Sequence, residues 1–307
     1  MKGRRTLELA LDYRCNLRCI GCRACEDRGE RIAPERAAAL LREAAEAGAT
    51  GAWIGGGEPT LREDLLAVVR RARALGFAEV VVQTNAMRLA YPAYARALVE
   101  AGVTEVRVNA KSSRADVHDR LSGEQGAHAL LIRAVENLSA LAVRVTADVL
   151  LAQSTAGHVD ETIAFFADRG IHRFALWLLY AEDVEGGHAE TVAREVPRIA
   201  DLVPALERAI AIADARGLSL VSFHTPPCTL PAALRSIWQP ARDLAIDVVD
   251  PGGHRFALEA SPFEGSGHVE SCAGCAVRDR CGGPRADYVR LHGAGEFRAL
   301  SSAGEGP

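Results

Sequence analysis

An α/β protein built on a mainly parallel sheet is what this sequence predicts, and three observations predict it. Short apolar runs with β character alternate with amphipathic helical stretches through the first two-thirds of the chain. Polar and glycine-rich motifs stand just after several of those runs, at positions 55–60, 84–86 and 109–113. The eight cysteines fall into two groups, one near each end of the chain. Alternation of this kind gives βα units, whose crossovers make neighbouring strands parallel. Six such units plus a last strand are too many for half a Rossmann fold and too few for a closed eight-stranded barrel.

Composition narrows the function. With 307 residues, 49% of them hydrophobic, the chain can bury the core of one large domain and a small appendage. A net charge of −4 and a pI near 6.2 give no electrostatic case for a nucleic-acid partner. No apolar run reaches the ~18 residues of a membrane span, and the N-terminus has no signal-peptide pattern, so a soluble, cytoplasmic protein is expected. In a reducing compartment, eight cysteines suggest metal ligation before disulfides. Lysine occurs only at Lys2 and Lys111, which makes Lys111 conspicuous.

In chain order, a strand over residues 6–13 leads into a tight loop carrying Cys15, Cys19 and Cys22. A helix follows over 34–48, with Pro34 suited to its first turn, and then a buried strand over 49–54 that stops at Gly55-Gly56-Gly57-Glu58-Pro59-Thr60. Next come a helix (62–75), a strand (78–83) ending at Thr84-Asn85-Ala86, a helix (91–101) and a strand (103–109) ending at Ala110-Lys111-Ser112-Ser113. A looser polar segment (114–125) precedes a helix (127–141), a strand (143–151), a helix (158–169) and a strand (172–179). A charged loop (181–190), a long helix (199–216) and a last strand (218–223) complete the alternation. From Pro226 the pattern changes to a proline-rich corner, a hairpin (246–249 and 255–259), a cysteine cluster (272–281) and a tail (301–307) of disordered character.

Three thiolates spaced C-x3-C-x2-C suit an iron–sulfur cluster, and would leave one iron of a four-iron cube open to a small chelating ligand. Zinc stays open as an alternative, although only Cys25 stands near as a fourth ligand, in a crowded C-x2-C-x2-C run. Disulfides within so tight a group are disfavoured.

Together with Gly-Gly-Glu-Pro at 56–59, this cysteine loop resembles that of the radical S-adenosylmethionine (SAM) enzymes, and the resemblance covers roughly residues 6–224. It implies a partial (β/α)6 barrel over residues 1–225 and a SPASM- or twitch-like auxiliary-cluster domain over 226–300. It implies a [4Fe-4S] cluster on Cys15, Cys19 and Cys22 whose open iron binds the amino and carboxylate groups of SAM. Gly55, Gly56, Gly57 and Glu58 would face the SAM amino group. Thr84 and Asn85 match the family's Thr-Asn-Gly, with Ala86 a departure. Asn109 and Lys111 stand where the family turns polar or basic groups toward the ribose and carboxylate. A second departure is Gly21, where the family places an aromatic residue before its third cysteine; adenine packing would then come from elsewhere, such as Ile20.

At the C-terminus, Cys272, Cys275 and Cys281 resemble the auxiliary-cluster pattern, with Cys228 as a natural fourth ligand. Arg285 stands where the full pattern has a further cysteine, so one auxiliary [4Fe-4S] cluster is expected rather than two, with a zinc ribbon as the alternative. Cys25 is left over, either a spare buried thiol or a catalytic hydrogen donor or cluster ligand. Arg144, Asp148 and Gln153 are candidates for the barrel interior, and Asp119, Asp148, Tyr180, Glu182 and Asp183 for substrate contact. His224, His254 and His268 are expected at the surface or behind the ligands. The resemblance implies reductive cleavage of SAM to a 5′-deoxyadenosyl radical and hydrogen abstraction from a ribosomal peptide or a small molecule, with flavodoxin or ferredoxin as electron donor. A non-catalytic iron–sulfur carrier is the reading from outside enzymology. Because the chain starts almost at its first strand, a peptide leader would be read by the barrel or by another protein.

Overall fold

The computed structural model describes residues 6–22, 29–180, 189–261 and 266–301. Among the described residues, nine strands form one sheet: β1 (Thr6–Ala10), β2 (Gly51–Gly55), β3 (Glu79–Thr84), β4 (Glu105–Asn109), β5 (Arg144–Leu151), β6 (Arg173–Leu178), β7 (Ser219–Phe223), β8 (Ile246–Val249) and β9 (Arg255–Ala257). Their order is β7-β6-β5-β4-β3-β2-β1-β8-β9. Every pairing is parallel except the β8–β9 hairpin. The helices are α1 (Pro34–Glu46), α2 (Leu65–Ala74), α3 (Pro92–Glu100), α4 (Ala115–Ser122), α5 (Ala127–Ser139), α6 (Val159–Ala167), α7 (Ala189–Glu195), α8 (Ile199–Arg216) and α9 (Ala286–His292).

Strand parity separates two faces. Leu9, Ile54, Val82, Val106, Val108, Ala147, Val149, Phe174 and Leu176 lie in register on one face and join the apolar core with the helices. Helix α1 adds Ala37, Leu40, Leu41 and Ala44 to that core. Each leucine sealed there contributes roughly 2 kcal/mol of burial. The opposite face carries Glu8, Trp53, Gln83, Arg107, Asn109, Asp148 and Trp177 at alternate positions, so it is polar where a parallel sheet is usually apolar.

The strand-and-helix alternation is as expected, with three differences. Residues 115–122 are helical rather than loose, because tertiary contacts hold a segment too polar to signal itself. Asp119 is not a substrate contact there: its carboxylate accepts from the Gly126 and His128 amides (2.6 and 2.7 Å) and caps the start of α5. Residues 189–195 form α7, which begins at the end of the expected charged loop (181–190) and runs past it. The third difference concerns the hairpin. β8 pairs in parallel with β1, Thr6 opposite Ile246, so this hairpin from the segment beyond residue 225 extends the sheet of β1–β7.

Candidate active site at the strand ends

The cysteine loop is clamped from two sides by backbone. Gly57 and Glu58 donate their amides to the Asp12 and Arg14 carbonyls, each at 2.7 Å. A methyl group at Gly56 would stand 2.5 Å from the Asp12 oxygen, and one at Gly57 2.3 Å from the Arg14 oxygen. The glycines are therefore demanded by the loop lying directly on them. On the other side, the Arg18 and Ile20 amides donate to the Ser122 and Leu121 carbonyls of α4 at 3.1 and 3.0 Å.

Glu58 does not open onto the cavity. At 1% exposure, its Oε1 accepts from the Thr60 amide (2.9 Å), the Thr60 hydroxyl (2.5 Å) and the Thr84 hydroxyl (2.6 Å). Its Oε2 accepts from the Asn85 amide at 2.6 Å. Burial raises the Glu58 pKa, and these donors pull against it. The carboxylate is a strut tying the end of β2 to the end of β3. Thr84 is spent on the same strut. Asn85 reaches the cysteine loop instead, donating to Asn16 Oδ1 at 2.8 Å and to the Cys15 sulfur at 3.9 Å.

A cavity of about 500 Å³ opens at the strand ends. Of the predicted residues, Cys19, Cys22, Gly56, Asn109 and Lys111 line it, whereas Cys15, Gly55, Gly57, Glu58, Thr84 and Asn85 stand behind the lining. Lys111 is 3% exposed, and among the described residues its Nζ has no conventional hydrogen-bond partner, the Cys19 thiol being the group it acts on. Burial raises the Cys19 thiol, and the Lys111 ammonium is the strongest influence opposing it. Burial also pushes the Cys15 thiol up to about 11.

Beneath the cavity, sequence reasoning missed a closed polar network. Arg107 pairs with Asp148, which also accepts from Gln83 Nε2 and Trp177 Nε1, each at 3.0 Å. The Arg107 guanidinium lies 4.7 Å from the Trp53 ring centre. Gln83 and Trp177 show one edge to the cavity. The available signal was a polar residue at alternate positions of otherwise apolar strands. Arg144 and Gln153 do not join this network: Arg144 pairs with Glu105 at the strand start, and Gln153 is exposed. His224, expected at the surface or behind the ligands, lines the cavity beside Trp177.

At the C-terminal end, Cys228, Cys272, Cys275 and Cys281 line one small void with Pro226, Pro227 and Val277. Burial and the three neighbouring thiols push Cys281 up to about 11. Among the described residues, no three His, Cys, Asp or Glu side chains converge on a point that would hold a single ion. His268 bonds the Cys281 carbonyl at 2.8 Å, and His254 pairs with Asp250 at 2.9 Å. Cys25, Glu182 and Asp183 lie outside the described residues.

The profile of the radical SAM superfamily matches residues 12–176, more than half of the chain. The chain belongs to the radical SAM superfamily. A probable GTP 3′,8-cyclase of Thermococcus kodakarensis is 30% identical over 173 residues, 53% of this chain and 53% of that protein. Mycofactocin maturase MftC of Mycobacterium ulcerans is 27% identical over 258 residues, 80% of this chain and 66% of the maturase. The chain thus spans about half the length of the cyclase and two-thirds of the maturase. Among solved structures, SuiB of Streptococcus suis bound to S-adenosylmethionine superposes with a TM-score of 0.68 at 15% identity, covering 97% of this chain and 77% of SuiB. Native anSMEcpe with bound AdoMet gives 0.63 at 14% identity, covering 92% and 89%. These two share the fold.

The radical SAM cofactors fit the residues present. Three thiols on one loop are a soft donor set for iron. A Lys111 ammonium enclosed at 3% exposure is costly unless an anion meets it. The family departure at Gly21 also has a cause. Its φ is +75°, and a methyl there would stand 2.7 Å from the Tyr180 oxygen and 2.8 Å from Leu179 Cδ1. The end of β6 occupies the space an aromatic side chain would need.

Proposed function

We propose that this radical SAM protein reductively cleaves S-adenosylmethionine and abstracts hydrogen from a ribosomally made peptide, leaving a crosslink or an oxidised residue. The observation that carries this reading is the cavity itself, into which the Cys19 and Cys22 loop, the Gly56 backbone and the lone enclosed lysine all face. Cys15, Cys19 and Cys22 would hold a [4Fe-4S] cluster, which would supply the electron for reductive cleavage of SAM. The chain's own residues bind and orient. Lys111 meets the SAM carboxylate, the Gly56 backbone faces its ammonium with Gly55 and Gly57 behind it, and Asn109 faces the ribose. Ile20, Leu178 and Leu179 pack against adenine, while Tyr13, Trp177 and Phe256 exclude water from the radical.

The substrate radical loses one electron and one proton as the new bond forms. An auxiliary [4Fe-4S] cluster on Cys228, Cys272, Cys275 and Cys281 is the proposed acceptor, and a flavodoxin or ferredoxin the source of the first electron. A SPASM- or twitch-like role for residues 226–300 and a cytoplasmic location belong to the same proposal. Among the described residues no helix is long and apolar enough to cross a membrane. A peptide substrate is favoured over a small metabolite because MftC aligns with 80% of this chain, against 53% for the cyclase. SuiB bound to the precursor peptide SuiA also covers 98% of the chain at a TM-score of 0.67.

The test is anaerobic. Reconstituted protein with dithionite and SAM is expected to form 5′-deoxyadenosine, and Cys15→Ala/Cys19→Ala/Cys22→Ala to form none. Mass spectrometry of co-expressed peptides is expected to find one that has lost a pair of hydrogens. Intact SAM after reduction would reduce the chain to an electron carrier.

A further inference from the structure

Arg285 occupies the position at which the auxiliary pattern has a further cysteine, and its side chain turns away from the other cysteines. It is 4% exposed and reaches back to the end of β6, where its Nη1 donates to the Leu178 carbonyl (2.9 Å) and its Nη2 to the Leu179 carbonyl (2.5 Å). Asp287, 1% exposed, holds the same guanidinium in a fork, at 3.0 Å to Nε and 2.8 Å to Nη2. The guanidinium also lies 4.8 Å from the Tyr180 ring centre and lines the main cavity. A planar, five-donor cation held this way fixes two successive carbonyls in one orientation.

Those carbonyls belong to the segment that meets the N-terminal cysteine loop, since the Tyr180 oxygen and Leu179 side chain leave no space for a side chain at Gly21, between Cys19 and Cys22. On its other side, Arg285 is three residues beyond Gly282 and four beyond Cys281 in a braced turn. Gly267 donates to the Pro284 carbonyl at 3.0 Å, Ser266 bridges Arg285, and His268 bonds the Cys281 carbonyl at 2.8 Å. One continuous set of contacts, backbone and side chain, therefore runs from Cys281 through the Arg285 guanidinium and the end of β6 to Gly21.

We infer that Arg285 is a positioning residue that couples order at the C-terminal four-cysteine site to SAM binding at the N-terminal loop. Loading of the C-terminal site holds the turn at 281–284, the turn seats Arg285, and Arg285 sets the β6 end that shapes the cavity beside Cys19 and Cys22. The inference rests on the proposed function for the identity of the ligand, but the coupling itself is a property of the chain.

The experiment uses reconstituted full-length protein and two readouts, the shift of the reduced N-terminal centre's EPR signal on titration with SAM, and hydrogen exchange of the Leu179 and Tyr180 amides. Arg285→Met is expected to keep its iron but to bind SAM roughly 10- to 100-fold more weakly, the loss of hydrogen bonds to a charged group. It is also expected to exchange faster at Leu179, whose amide otherwise bonds the Leu151 carbonyl at 3.0 Å. Arg285→Lys is expected to recover part of both, and Cys281→Ser to reproduce the faster exchange, with the double variant adding little. Unchanged exchange at Leu179 in Arg285→Met, or additive losses in the double variant, would overturn the coupling. If Arg285→Met does not fold, Cys281→Ser decides alone, and unchanged exchange there overturns it. A wild-type signal that ignores SAM counts against the proposed function, and the exchange arm still decides the coupling.

Discussion

Gly57 shows how a residue with no side chain can be the most demanding position in a site. Its missing methyl leaves room for the Arg14 carbonyl, onto which the cysteine loop is hung. Gly57→Ala is expected to displace that loop and to lose the N-terminal iron, about four atoms per chain, while the C-terminal iron stays; iron and sulfide analysis of the variant reads this directly. His118 is the opposite case, a titratable ring sealed at 2% exposure whose Nδ1 has no hydrogen-bond partner among the described residues. Burial holds its pKa well below 6.5, helped by Lys111 and His128. The unfolded chain takes up a proton below pH 6.5 that the folded chain refuses. Stability is therefore full above that pH and falls as pH drops, by up to about 1.4 kcal/mol per pH unit for one such group. His128 and His158 are shifted in the same direction. Urea unfolding of His118→Leu at pH 7.5 and pH 5.5 is expected to show a smaller acid loss than the wild type.

Helix α4 gives the site one of its supports without any strong helical pattern of its own. Its last residues present carbonyls to Arg18 and Ile20, and its Asp119 caps α5. Asp119→Ala is expected to cost about 1 kcal/mol as a lost cap, seen as a lower urea midpoint with an unchanged slope. Because α4 also carries the cysteine loop, the same variant is expected to bind N-terminal iron more slowly on reconstitution. Strand β8 makes a similar point about the sheet. As a hairpin strand it was legible from its turn, but its parallel pairing with β1 was not, since nothing local to residues 246–249 names a partner some 240 positions earlier.

For the molecule as a whole, the two cysteine groups predict two separable metal sites. Substituting Cys15, Cys19 and Cys22 is expected to remove about four irons, and substituting Cys272, Cys275 and Cys281 about four more. Release of zinc instead from the second set would reassign that site as a ribbon while leaving the first untouched. The sheet connects the two sites physically, because β6 is held by Arg285 from one end of the chain and meets Gly21 near the other.

The sequence by itself determined the order of the strands and of every helix but α4, α7 and α9, the clustering of polar motifs after the strands, and the soft-donor chemistry of each cysteine group. These are local properties, carried by periodicity, turn residues and spacing along a few positions. Tertiary structure alone decided that Glu58 is a strut rather than a wall of the cavity, that Gln83, Arg107, Asp148 and Trp177 form one network beneath it, and that Arg285 crosses to the far end of β6. The physical reason is that a buried polar group takes whatever partner the packed fold brings within hydrogen-bond reach, and that partner lies tens of residues away in the chain.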